Sequence, residues 1–171
     1  LDPTKNQPQP LLVSIGGGKG GTGKSLISLN LARALVAEGL SVILVDTDLG
    51  GANLHILAGL RHCDLTLRDF IGGRVKELSV LVKTIPDTKL QLIPGSPEPV
   101  GIVQSGYQKK LKLLRHLRQL LTQVVVCDLG GDSYLDTLDI FNESDIGILV
   151  TTPEPAIQGM YGFAKAAIIR R

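Results

Sequence analysis

Residues Gly18-Lys19-Gly20-Gly21-Thr22-Gly23-Lys24-Ser25 satisfy the spacing G-x-x-x-x-G-K-[ST]. Gly18, Gly20, Gly21 and Gly23 let the main chain curl around a phosphate with its N–H groups, that of Thr22 included, pointing inward. A helix opening near Ser25 adds the positive end of its dipole. Lys24 is placed to reach β- and γ-phosphate oxygens, and the Ser25 hydroxyl to ligate Mg²⁺. The chemistry implied is the grip of a nucleotide triphosphate with its magnesium ion. A glycine-rich turn of no chemical consequence is the competing explanation. The apolar run before the loop and the helical pattern after it weigh against that.

Three aspartates can serve the same chemistry. Val42–Val45 ends at Asp46, and Asp48 follows two residues on. A carboxylate beside a triphosphate is repelled unless a metal or a proton intervenes. Asp46 is read as holding a metal's water shell or bracing the loop, with a simple Asx turn as the alternative. Val124-Val125-Val126-Cys127-Asp128 is an apolar strand closed by an acid, a Walker B pattern that offers Asp128 to the outer shell of Mg²⁺. Asp128-Leu129-Gly130-Gly131 has the form D-x-x-G, where a glycine N–H could sense a γ-phosphate. The residues offered to the metal by position are therefore Ser25, Asp46 and Asp128.

The elements that must position these groups alternate. Strands are predicted at Leu11–Ile15, Val42–Val45, Leu90–Ile93, Val124–Val126 and Ile146–Val150. Helical patterns cover Ser25–Glu38, Ala52–Ala58, Thr66–Ile71, Gly106–Leu121 and Tyr134–Asn142, and a last helix follows Pro155. Leu113, Leu114, Leu117, Leu120 and Leu121 form one stripe. Such alternation predicts an α/β three-layer sandwich with a mostly parallel central sheet. Ligands of such sheets sit beyond the carboxyl ends of the strands, where each motif falls. Residues 1–10, with Pro3, Pro8 and Pro10, read as a flexible leader, and 11–171 as the nucleotide-binding domain. The chain opens without Met and stops inside a helical pattern, so the domain is expected to be incomplete at its C-terminus.

Composition narrows the field. The 171 residues suit one domain. They are 43% hydrophobic but only 4% aromatic, the Val/Ile/Leu/Ala bias of doubly covered parallel strands. A net charge of +2 is too small to argue for nucleic acid. Lys109, Lys110, Lys112, Arg115, His116 and Arg118 decorate one helix opposite its leucines. A solvated face explains them, and DNA, anionic lipid or a protein partner are the alternatives. Cys63 and Cys127 form no CxxC, and His55, His62 and His116 have no metal-ligand spacing with them. Free thiols and the lack of any apolar run of about 18–20 residues predict a cytoplasmic protein.

Lys19 is the residue that an ordinary phosphate loop does not need. With it, Gly17–Ser25 resembles the deviant Walker A of the MinD/ParA ATPases, and Val45–Asn53 resembles their switch I. The resemblance extends from about Leu11 to about Ala167. It implies that Lys19 reaches the partner subunit's nucleotide across an ATP-sandwich homodimer, with a solvent-exposed loop lysine as the alternative, that Asp48 orients the attacking water and joins the metal set by coupling to Mg²⁺, and that hydrolysis to ADP resets the switch. Lys19, Lys24 and Asp48 are then the catalytic set. Thr151-Thr152-Pro153-Glu154-Pro155 is similar to the family's adenine-side loop, with Pro153 on the base and Glu154 at the ribose; a proline turn opening a helix is the alternative. ATP over GTP is implied by the resemblance alone. The stretches Asp48–His55 and Pro94–Pro99 look most like regulators of flagellar number or placement and their MinD-like relatives, which implies a partner protein that stimulates hydrolysis. A DNA-partition ATPase, an iron–sulfur carrier ATPase and a non-catalytic nucleotide sensor remain alternatives, and membrane attachment is left open.

Overall fold

The computed structural model describes residues 8–48, 51–96, 107–131, 135–153 and 156–170; of Tyr107, Lys110, Leu135 and Asp136 it describes the backbone. Among these lie the strands β1 (Leu11–Gly16), β2 (Val42–Asp46), β3 (Lys83–Thr84), β4 (Gln91–Ile93), β5 (Val124–Asp128) and β6 (Ile146–Leu149). The helices are α1 (Lys24–Ala37), α2 (Leu54–Leu57), α3 (Leu67–Ile71), α4 (Tyr107–Leu117), α5 (Leu135–Asn142) and α6 (Ala156–Arg170), with a 3₁₀ turn at Leu78–Leu81.

The strands form one sheet in the order β3-β4-β2-β5-β1-β6. Every pairing is parallel except that of β3 with β4. The expected parallel sheet is present with one addition, the two-residue β3, too short to show a period in the sequence.

β2 and β5 are buried at every position, which is why they read as unbroken apolar runs. Alternate residues feed two cores. Leu12, Ile43, Val45, Val125 and Cys127 meet Phe70 of α3, Leu113 and Leu117 of α4, Leu138 of α5 and Phe163 of α6. Val13, Val42, Leu44, Val124 and Val126 meet Leu29 and Ala32 of α1, and Leu54 of α2. The result is a helix–sheet–helix sandwich. One position of the predicted leucine stripe and one apolar residue of α1 turn outward. Leu121 is 80% exposed because α4 ends at Leu117 and the chain there turns toward β5, and Leu26 is 57% exposed in the first turn of α1.

Register brings the chemistry to one end of the sheet. Asp128 lies directly opposite Asp46 on one side and Ile15 on the other. Sequence order places β2 and β6 on opposite sides of the β1–β5 pair, so the chain reverses its direction of travel across the sheet beside β1. Loops after β1, β2 and β5 therefore open onto one crevice.

Candidate functional site

The loop between β1 and α1 needs glycine where the main chain turns left-handed. Gly21 (φ 77°) and Gly23 (φ 90°) occupy that region, and Gly23 is the N-cap of α1. Lys24 is buried, and its Nζ donates to the Lys19 carbonyl at 2.9 Å, so the lysine spans the loop and holds it curled. An ammonium has three donors, and this bond uses one. Thr22 Oγ1 donates weakly to the same carbonyl at 3.4 Å. The Lys19 residue itself is exposed: its main chain closes the loop while its side chain is on the outside.

The acids are graded by burial. Asp46 is 1% exposed; its Oδ1 accepts from the Asp48 N–H (3.2 Å) and its Oδ2 from the Leu54 N–H (3.1 Å). The first contact is an Asx turn, and the second ties down the start of α2. Burial, and then the facing Asp128, push the Asp46 carboxyl up to about 8. Asp128 is also buried. Its Oδ1 accepts from Ser28 Oγ at 2.9 Å, and Ser25 bonds the same carboxyl. Burial raises its pKa, while those hydroxyls and the nearby Lys24 ammonium hold the rise in check. Asp48 is half-buried, with Oδ1 accepting from the Gly51 N–H at 3.1 Å.

Glycines after β5 fit against this cluster. A Cβ on Gly130 would stand 3.2 Å from Asp48 Oδ1, and one on Gly131 would stand 2.6 Å from the Gly20 nitrogen. The D-x-x-G segment thus lies on both the water-orienting candidate and the phosphate loop. The Asp128 carbonyl accepts from the Thr47 N–H (3.0 Å) and Oγ1 (2.7 Å), which joins the ends of β2 and β5.

No three His, Cys, Asp or Glu side chains among the described residues converge as a ready cage for a metal. Magnesium commonly keeps several waters and borrows phosphate oxygens, so the fit to test is one hydroxyl ligand with acids behind its water shell. Ser25, already on Asp128, matches that donor set. Pro153 is exposed beyond β6, on the same end of the sheet as the loop, while Glu154 lies outside the described residues. A shallow hollow bounded by Gln9, Leu111, Arg115, Arg118 and Glu143 is at the other end of the sheet, away from every motif.

The profile of the CobQ/CobB/MinD/ParA nucleotide binding domain matches residues 13–152, a span holding the loop, all three aspartates and β6. The chain belongs to that family. Among its relatives, the antiactivator FleN of Pseudomonas aeruginosa is 46% identical over 160 residues, covering 90% of this chain and 55% of FleN. The flagellum site-determining protein YlxH of Helicobacter pylori is 33% identical over 163 residues, 94% of this chain and 54% of YlxH. The septum site-determining protein MinD of Pyrococcus horikoshii, solved with Mg-ADP, superposes with a TM-score of 0.81 at 25% identity, covering 94% of this chain and 66% of that one. The chain thus spans about half the length of FleN and YlxH.

Several residues of this nucleotide-binding domain escaped the sequence reading. Ser28 is a polar residue on the buried stripe of α1, one turn beyond Ser25, and that misplacement was its signal. Gly95 read as a strand stop, yet its Cβ would meet Asp46 Cγ at 2.9 Å. Thr47 gave no signal. Three of the basic residues on and just after α4 are engaged within the domain, while Lys109 and Arg115 are exposed. Lys112 Nζ stands 4.4 Å from the Phe70 ring centroid, His116 packs on the same ring and faces Glu77, and Arg118 pairs with Asp145.

Proposed function

We propose that this chain is the nucleotide-binding part of an ATP-switched dimer of the MinD/ParA type. ATP with Mg²⁺ seats in the Gly18–Ser25 loop, two chains close on it, and slow hydrolysis opens them. The observation that carries this reading is the division of labour in Lys19, whose carbonyl is held by Lys24 while its side chain faces outward. The loop contact uses only the Lys19 main chain, which leaves the ammonium available to a second chain. An outward cation at a loop that grips a triphosphate suits neutralisation of charge on a partner's nucleotide.

In this reading Lys24 holds the β- and γ-phosphates, Ser25 ligates Mg²⁺, and Asp46 and Asp128 support its waters. Asp48 orients the attacking water, and Gly130 and Gly131 let the D-x-x-G segment sense the γ-phosphate. Pro153 and Glu154 flank the base. Residues 11–171 act as one unit behind the leader. The relative YlxH, a flagellum site-determining protein, supports a role in placing flagella, and a MinD relative supports division-site placement. A protein partner that stimulates turnover fits such a switch. We place the chain in the cytoplasm, peripheral to membrane or nucleoid; no helix among the described residues is long and apolar enough to cross a membrane.

The alternatives lose support at particular residues. DNA partition would draw on α4, where Lys112, His116 and Arg118 are engaged internally. An iron–sulfur carrier would need accessible thiolates, yet Cys127 is fully buried and its thiol is pushed up to about 12 by burial. Turnover and oligomer size measured together, with and without DNA and liposomes, test the proposal. Wild type should dimerise with ATP and release phosphate, Asp48→Ala should trap the ATP dimer, and Lys19→Ala should bind ATP as a monomer. A normal dimer of Lys19→Ala would remove that lysine from the interface, and ATP binding without any phosphate release would favour the sensor.

A further inference from the structure

The phosphate-loop motif begins at Gly18, yet Gly16 and Gly17 precede it, and the motif's chemistry gives no reason for them. The β6–α6 unit does. A Cβ on Gly16 would lie 3.1 Å from Phe163 Cζ, and one on Gly17 would lie 2.5 Å from the Val150 carbonyl oxygen. One on Gly18 would fall 1.7 Å from the Gly159 carbonyl oxygen. The contact is mutual, since a Cβ on Gly159 would stand 2.7 Å from the Gly18 oxygen. Three consecutive glycines are thus laid against the end of β6 and one side of α6, with backbone touching backbone at Gly18 and Gly159.

Gly159 is a helix-interior glycine, where alanine is ordinarily the more favourable residue. Gly162, three residues on in the same helix, has nothing within 4 Å of its would-be Cβ. The two positions therefore separate helix propensity from close approach. Phe163 is fully buried and stacks edge-on against Phe141 at 5.2 Å, so α6 is anchored and a methyl at position 159 would displace the loop rather than the helix.

We propose that Gly159 is a positioning residue for the phosphate loop. The first turn of α6 is the wall that sets where the Gly18 end of the loop lies, and hence where its N–H groups and Lys19 point. The nucleotide part of this inference rests on the reading given above. Because α6 directly follows the Pro153–Glu154 segment, one rigid helix then links the base side of the site to its phosphate side.

Two variants, compared with wild type, test it in two arms. Without nucleotide, Gly159→Ala should speed amide exchange in residues 17–23 about tenfold or more over wild type, while Gly162→Ala leaves those amides unchanged. With ADP and Mg²⁺, Gly159→Ala should weaken binding by about tenfold or more, in line with the cost of misplacing a site by a fraction of an ångström. Its melting midpoint without nucleotide should stay near that of Gly162→Ala. Equal exchange and equal affinity in the two variants would overturn the proposal. If wild type binds no nucleotide, the functional reading fails, and the first arm still judges the contact. If Gly159→Ala does not fold, exchange on wild type with and without ADP-Mg²⁺ decides: protection of residues 157–161 together with 17–23 supports the wall, and protection of the loop alone refutes it.

Discussion

Raising the pH from 6.5 to 8 should destabilise the nucleotide-free chain, and Asp46 sets the size of the effect. Its carboxyl titrates near 8 in the folded protein and near 3.8 when unfolded. A raised folded value means that this group's stabilising contribution is whole below 3.8 and is lost as pH rises through 8. Between 6.5 and 8 the unfolded carboxyl is fully ionised, while the folded one passes from protonated to half-ionised. At about 1.4 kcal/mol per proton per pH unit, the loss over this window is on the order of 1–2 kcal/mol. For a chain of this size that lowers the melting midpoint by a few degrees. His55 and His116, lowered from 6.5, oppose the decline in the lower part of the window as their unfolded imidazoles shed the remaining protons, and Cys127 acts above 9. Asp128 is raised as well, chiefly by burial, and acts in the same direction as Asp46 as pH rises above 3.8. Scanning calorimetry in matched low-salt buffers without magnesium reads the slope directly. Asp46→Asn, which keeps one acceptor for Leu54 or Asp48, should flatten it, and saturating Mg²⁺-ATP should shrink it in wild type. A wild-type midpoint that is constant over the window, or an equal slope in Asp46→Asn, would refute the reasoning.

Other expectations concern single side chains. Lys19→Ala should keep ATP affinity within a few-fold while turnover falls by about 10³ or more, the scale of a charge supplied from across an interface; steady-state phosphate release against calorimetric binding separates the two. Ser28→Ala removes a donor from the buried Asp128 and should lower stability by about 1–3 kcal/mol, read by urea unfolding at pH 7. Gly131→Ala places a methyl against the Gly20 nitrogen and should weaken ATP binding more than tenfold with little loss of stability, which paired titration and melting curves will show.

Much of the architecture was legible because the sequence obeys two periods. Unbroken runs such as Val42–Val45 and Val124–Val126 mark strands covered on both faces. The spacing from Gly18 to Ser25 is demanding enough to place the loop between a strand and a helix. Contacts made by residues without distinctive chemistry stayed hidden. Gly131 on Gly20 and Gly159 on Gly18 bridge more than a hundred positions, and a glycine in the sequence does not say what approaches it. Ser28 was visible only as a polar residue out of place. The leucine stripe misled at Leu121 because helical spacing continues past the point where the helix stops. The basic residues of α4 looked alike in the sequence, and only Phe70, Glu77 and Asp145 distinguish the engaged from the solvated.

Nucleotide capture depends on main-chain amides and one buried ammonium closing on a triphosphate. Isothermal titration of ATP with Mg²⁺ into wild type and Lys24→Ala measures this without reference to turnover, partner or cell. The expected result is one site per chain in wild type and an affinity at least tenfold weaker in the variant. Absence of binding heat in wild type at two temperatures, or equal affinity in both proteins, would contradict it.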